Sequence, residues 1–223
     1  MALKKTNKKY FFSVEGETEK WYLEWLATQI NSIDTASHTV SFKIKIEKNP
    51  KKMVKSLTIS GKTNIWHFSD YESEEAVHVQ QFTETMDNLK AAQELGKQVT
   101  YYFGYSNFAF DLWIVLHKSE CNQSLIHRNK YLSYINSSYN ENFSSMDDYK
   151  SEDNFKRCLQ KLDIDSVKKA ICRAEKIDQN NKDCGYTLYE YKGYTYYKEN
   201  PSTDVWKCIK SVLKDCNLID TRN

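Results

Sequence analysis

Residues 10–30 constrain the fold more than any other stretch of this chain. The apolar, aromatic run Tyr10-Phe11-Phe12-Ser13-Val14 passes straight into an acidic turn, Glu15-Gly16-Glu17-Thr18-Glu19. Behind the turn Trp21, Tyr22, Trp25 and Leu26 recur at i, i+1, i+4 and i+5, which is helical spacing. The reading is strand, tight turn, helix, with Gly16 relaxing the backbone and Thr18 available as an N-cap. In an α/β sheet, ligands gather at the carboxyl ends of strands, where this turn sits. Carboxylates crowded there repel one another unless a cation or a basic ligand offsets them. The plainer alternative is that Glu17 and Glu19 only favour the positive end of the helix dipole.

The same alternation continues. Val40, Phe42, Ile44 and Ile46 alternate with Ser41, Lys43, Lys45 and Glu47, marking a half-exposed strand near a sheet edge. A short helix over 51–59 follows, then an apolar strand over 64–68 that ends in Ser69-Asp70-Tyr71-Glu72. A long helix over 74–95 carries Val77, Phe82, Met86, Leu89 and Leu95 as its apolar stripe and stops at Gly96. Residues 98–103 form a fourth strand. Strands alternating with helices imply an α/β fold, a parallel sheet flanked by helices.

Beyond Gly104 the character changes. Residues 108–118 read as a helix capped by Ser106 and Asn107, because Phe108, Leu112 and Val115 share a face. Residues 137–153 read as a loop, 154–162 and 166–177 as helices, and 178–183 as a polar break. A tyrosine-dense stretch covers 188–197, and Asn200-Pro201-Ser202-Thr203-Asp204 reads as a helix start with proline in the first turn. The organisation expected is an α/β core over 1–105 and a mainly helical extension over 106–223 packed on it.

Charge decides little globally. The 223 residues carry 32 basic and 30 acidic side chains, a net charge of +2. That balance does not by itself imply a nucleic-acid partner, although the lysines between Lys43 and Lys55 form a local basic run suited to phosphates. The cysteines Cys121, Cys158, Cys172, Cys184, Cys208 and Cys216 fall at irregular spacings with no CxxC pair and no zinc-type His–Cys cluster. They read as reduced thiols. With no signal-like leader and no apolar run of spanning length, a soluble cytoplasmic protein without a membrane partner is expected.

Glu15 after the first strand, and Asp70 with Glu72 after the third, lie at ends that point the same way in a parallel sheet. Converging, they would make an all-oxygen site suited to Mg²⁺ or Mn²⁺, a cation that activates water and stabilises a leaving oxygen. Glu19, one turn on, is a further candidate ligand or an exposed helix charge. Asp111 sits on an otherwise apolar helix face and needs a partner, either a site metal or a structural base. His117 reads as a structural histidine more readily than a ligand. Asp204 is a cap or an outlying site acid. The tyrosines over 186–197 offer stacking faces for bases, or more simply packing.

On these residues the chain resembles the Toprim domains of topoisomerases, primases and OLD-type nucleases, and within them the RloB family, which includes the second component of the AbiL abortive-infection system. Glu15-Gly16-Glu17-Thr18-Glu19 matches the family's opening, Ser106-Asn107-Phe108-Ala109-Phe110-Asp111-Leu112-Trp113 through Leu116-His117 its middle segment, and Asn200-Pro201-Ser202-Thr203-Asp204-Val205 its C-terminal one. The family's Phe-Asp-x-Asp is replaced by Phe68-Ser69-Asp70-Tyr71-Glu72, which keeps two carboxylates two apart if shifted by one residue. The resemblance implies a Toprim-like sheet and a metal-dependent nuclease, an effector of antiphage defence acting on DNA or RNA, tRNA included. It implies a separately encoded AAA or ABC-type ATPase partner, and homo-oligomers are open. In that frame Glu15, Asp70, Glu72 and Asp111 are catalytic. Glu15, Glu19, Asp70 and Glu72 hold Mg²⁺ or Mn²⁺, and Lys20, Ser106 and Asn107 touch substrate. The altered middle motif equally suits a catalytically inactive module that binds nucleic acid or the ATPase.

Overall fold

Four of the apolar runs become parallel strands: β1 (Asn7–Val14), β2 (Thr39–Ile46), β3 (Thr63–Asp70) and β4 (Val99–Asn107). The computed structural model describes residues 5–220. The order across the sheet is β2-β1-β3-β4, completed by a two-residue antiparallel strand, β7 (Ser202–Thr203). The register sets Ser13 against His67 and Asp70 against Ser106, so the carboxyl ends of β1, β3 and β4 finish side by side. The lysine-bearing strand β2 lies at the edge, as its alternation implies.

Residues alternate between two faces, and each face has its own core. On one, Phe12, Val14 and Phe68 pack with α1 (Glu17–Asn31), α4 (Asp111–Leu116), α8 (Ile164–Asp183) and α9 (Val205–Asp215), through Tyr22, Leu26, Trp113, Ile171 and Ile209. On the other, Ile65, Tyr101, Phe103 and Tyr105 pack against Phe82, Met86 and Leu89 of α3 (Ala76–Gln93), beside α2 (Pro50–Ser56). The second half of the chain thus supplies most of one helical layer.

Several expectations are corrected. Ser106 and Asn107 do not cap a helix; they end β4, because 202–203 pairs with them. For the same reason Pro201 is not in a first helical turn, and the last helix begins at Val205. Residues 178–183 are no break but the end of α8, anchored by the buried Asn181, whose side-chain amide donates to the Pro201 carbonyl. The stretch 137–153 contains the end of α5 (Tyr131–Tyr139), which buries Tyr131, Ile135 and Tyr139 at four-residue spacing, and the short α6 (Met146–Tyr149). Val77 and Leu95 are exposed. Val77 lies nine residues before Met86, half a turn round the helix at 100° per residue, and Leu95 lies past the end of α3. The tyrosine-dense stretch forms a hairpin, β5 (Leu188–Tyr191) and β6 (Tyr194–Tyr197).

The cysteines are free thiols, and no helix among the described residues is long and apolar enough to cross a membrane.

Candidate active site

Glu15 leaves the end of β1 at the turn into α1, and its neighbour Gly16 has a steric reason to be glycine. A Cβ there would stand 3.2 Å from Oε2 of Glu19, so the turn comes close to the carboxylate one helical turn on. Glu19 faces inward, only 5% exposed, and accepts a 2.9 Å hydrogen bond from the Thr18 hydroxyl. That geometry removes the reading of Glu19 as a solvated helix charge. Thr18 does not cap the helix; Gly16 occupies that position, with no side chain to offer.

From the neighbouring strand, Ser69 donates a 2.7 Å hydrogen bond to Glu15 Oε1, and Asp70 ends β3 beside it. Tyr71 turns to the opposite side, buried edge-on against Phe82 with ring centroids 5.0 Å apart. Its backbone N–H is fixed to the Ser106 carbonyl. Tyr71 is therefore a core residue that separates Asp70 from Glu72. Glu72 is held at the rim by His78 Nε2 at 3.3 Å and Arg128 Nη1 at 3.4 Å.

Asp111 opens α4 with 1% exposure, and the partner its burial demands is Lys150, whose Nζ stands 2.8 Å from Oδ2. Lys150 follows α6, which is fixed by the buried Tyr149 packed on Phe143 and Phe155. Nothing in the sequence pointed to this lysine: it lies 39 residues from Asp111 in a polar stretch.

The electrostatics bind these groups into one cluster. Burial, and then the charge of Glu19, pushes Glu15 up to about 7, although the Ser69 hydrogen bond opposes the shift. Burial likewise raises Glu19, against the hydrogen bonds of its own backbone N–H and of Thr18. Asp70 is held well above the usual carboxylate range by burial and then by Glu19 and Glu15. Burial works against the charge of Lys150, but Asp111, Asp70 and Glu19 outweigh it and keep the ammonium above its ordinary value. A cleft of about 390 Å³ opens onto this cluster, with Glu15 and Asp70 inside and Lys48, Lys52, Gln81 and Thr85 on its walls.

The other expected residues sit elsewhere. Lys20, partly exposed, pairs with Glu17 at 3.0 Å. Ser106 and Asn107 are buried: Ser106 Oγ lies 3.0 Å from Thr203 Oγ1, and the Asn107 amide donates to the carbonyls of Tyr197, Lys198 and Glu199. Both are thus occupied in joining β4 to the C-terminal segment. His117 lies against Tyr22 and the Trp113 carbonyl, and burial lowers it to about 4. Asp204 pairs with Lys207 at 2.6 Å. Tyr189 of the hairpin stacks on Tyr196, which meets Phe82 edge-on, and this favours packing over base recognition.

Glu15, Glu19, Asp70 and Asp111 offer hard oxygen donors and excess negative charge, the chemistry Mg²⁺ or Mn²⁺ needs. Among the described residues no group of three or more His, Cys, Asp or Glu side chains forms a ready ligand set. The donors suit a divalent ion by type, and their placement forms no ligand set among the described residues.

Fold and site together define an α/β protein whose parallel strands present a carboxylate cluster at the floor of a cleft. A family model described as RloB-like protein matches residues 10–212, and the chain belongs to the RloB-like family. No curated protein and no solved structure matches it.

Proposed function

We propose that this protein is a divalent-metal-dependent nuclease of Toprim type, an effector in antiphage defence that works beside a separately encoded ATPase. One observation carries the catalytic reading: Glu15 and Asp70, from adjacent parallel strands, share a cleft and both bind protons more tightly than ordinary carboxylates. Clusters of acids perturbed by burial and mutual charge mark functional sites. The family membership supports the same direction.

In this reading Glu15, which burial holds up to about 7 in the absence of metal, takes a proton from the attacking water. Ser69 fixes its carboxylate through the 2.7 Å hydrogen bond. Water adds to phosphorus as the bond to the leaving oxygen breaks, and that oxygen takes up a proton. Glu15, Glu19 and Asp70 would hold a Mg²⁺ or Mn²⁺ ion, which supplies Lewis acidity toward the phosphoryl oxygens and a more acidic water. Glu72 could join only by leaving His78 and Arg128. Lys48 and Lys52 supply positive charge on the cleft wall for the phosphate chain.

The test is incubation of the purified protein with labelled single- and double-stranded DNA and RNA, tRNA among them, in Mn²⁺, Mg²⁺ or EDTA. Cleavage that EDTA abolishes supports the reading, and intact substrates throughout, with or without the ATPase, contradict it.

A second reading has its own observations. Ser69 stands where the family motif has an acid, Tyr71 is core, and Glu72 is tied to His78 and Arg128 at the rim. Those features favour a catalytically inactive module binding nucleic acid or the ATPase. It expects binding that survives EDTA and toxicity that survives Asp70→Asn.

A further inference from the structure

We infer that the cleft takes a single strand of nucleic acid, its phosphates held on the α2 side and its bases contacted by side-chain amides of α3. The inference rests on the nucleic-acid reading above and specifies the form of the substrate.

The strand order places the two walls. Glu15 follows β1 and Asp70 ends β3, and these strands are neighbours inside the sheet. To one side α2 follows β2; to the other α3 joins β3 to β4. Both helices lie on the same face of the sheet, packed through Val54, Phe82 and Met86. The two carboxylates therefore form the floor between a wall built from residues 47–52 and a wall built from α3.

The walls differ in chemistry. On the first stand the exposed Lys48 and Lys52, at a helix start fixed by Asn49, whose side chain accepts from the backbone N–H groups of Lys51 and Lys52 at 3.0 and 3.2 Å. Glu47 beside them accepts from the Asn49 backbone N–H at 3.1 Å. On the second, Gln81, Thr85 and Asn88 recur at i, i+4 and i+7, one helical face beside the buried stripe of Phe82, Met86 and Leu89. The amides of Gln81 and Asn88 each carry donors and an acceptor, the combination that pairs with base edges. That wall also holds Glu84, whose charge repels phosphate, and Glu72, which His78 and Arg128 engage at 3.3 and 3.4 Å.

A duplex presents phosphates on both sides of either groove and keeps its bases paired, so it matches two cationic walls. A single strand carries its phosphates along one edge and frees its base edges on the other. One lysine wall facing one amide wall matches the single strand. The cleft, at about 390 Å³, falls in the size range of small-ligand sites, which suits a short length of one strand.

The test is fluorescence-anisotropy binding, in EDTA and in Ca²⁺, of labelled DNA and RNA oligonucleotides. Each is offered as a single strand, as a duplex and as an abasic strand with the same number of phosphates. Wild type is expected to bind the single strand about tenfold or more tightly than either of the others. The double variant Gln81→Ala/Asn88→Ala should lose the preference over the abasic strand and keep its salt dependence. Lys52→Ala should keep that preference and lower the salt slope by about 0.7. Circular dichroism checks each fold, and the single variants Gln81→Ala and Asn88→Ala are read the same way if the double variant does not fold. Duplex or abasic strand bound by wild type as tightly as the single strand would overturn the inference. So would an unchanged preference in the double variant, or an unchanged salt slope in Lys52→Ala. No oligonucleotide bound by wild type would overturn both the inference and the nucleic-acid reading. The expected preferences without any cleavage in Mn²⁺ would support the inference and contradict the nuclease reading.

Discussion

Glu15 gains its character from two neighbours with opposite effects. Burial and Glu19 raise its affinity for a proton, and the Ser69 hydroxyl, by bonding the charged form, lowers it. Ser69→Ala should therefore move the Glu15 titration above about 7, measurable by carboxyl ¹³C resonance in metal-free protein. A downward or absent shift would contradict the assigned role of the hydroxyl. At this scale the sequence was informative where charge met a strand end, and silent where partners came from far along the chain. Glu15 and Asp70 were legible because both follow apolar runs. Lys150, Arg128 and His78 were not, since an isolated basic side chain in a polar stretch carries no pattern until the fold brings it to an acid.

The strand–helix alternation over the first hundred residues was readable because parallel strands and amphipathic helices have different periods. What failed was pairing that depends on distant partners. Ser202–Thr203 becomes a strand only by adding to the end of β4, and α5 was hidden because its buried face is made of tyrosines that resemble loop composition. The packing of β3 on β4 offers a direct check. A Cβ at Gly104 would stand 2.8 Å from Phe68 Cδ1, under a ring fully enclosed by the core. Gly104→Ala should cost about 1–3 kcal/mol through overpacking, seen as a lower chemical-denaturation midpoint with an unchanged slope. Unaltered stability would mean that Phe68 has room to move.

Across the whole molecule the two halves share one hydrophobic core, in which Phe12 and Val14 from the start meet Trp113, Ile171 and Ile209 from the rest. A fragment ending at residue 105 should therefore lack cooperative unfolding and near-ultraviolet dichroism. A cooperative transition in that fragment would show that the α/β portion folds without the extension packed on it. The carboxylate cluster also couples stability to pH. Glu15 and Asp70 hold protons more tightly folded than unfolded, so the unfolded chain releases them first and stability falls as pH rises through their folded titration. His67 and His117, buried and neutral, act in the opposite sense below about pH 6.5, the ordinary histidine value. In EDTA the melting temperature should thus decline between about pH 6.5 and 8, where folded Glu15 titrates. Mn²⁺ should raise it more at the upper end. Glu15→Gln should flatten the decline, and a slope as steep as that of wild type would exclude Glu15 as its source.

The account turns on whether Glu15 moves a proton during cleavage. The measurement is single-turnover cleavage of a labelled nucleic acid in saturating Mn²⁺ by wild type and Glu15→Gln, with the fold and bound metal of each verified. Loss of a general base should lower the rate about 10²–10⁴-fold while substrate binding changes little. Equal rates in the two proteins would contradict the proposed mechanism.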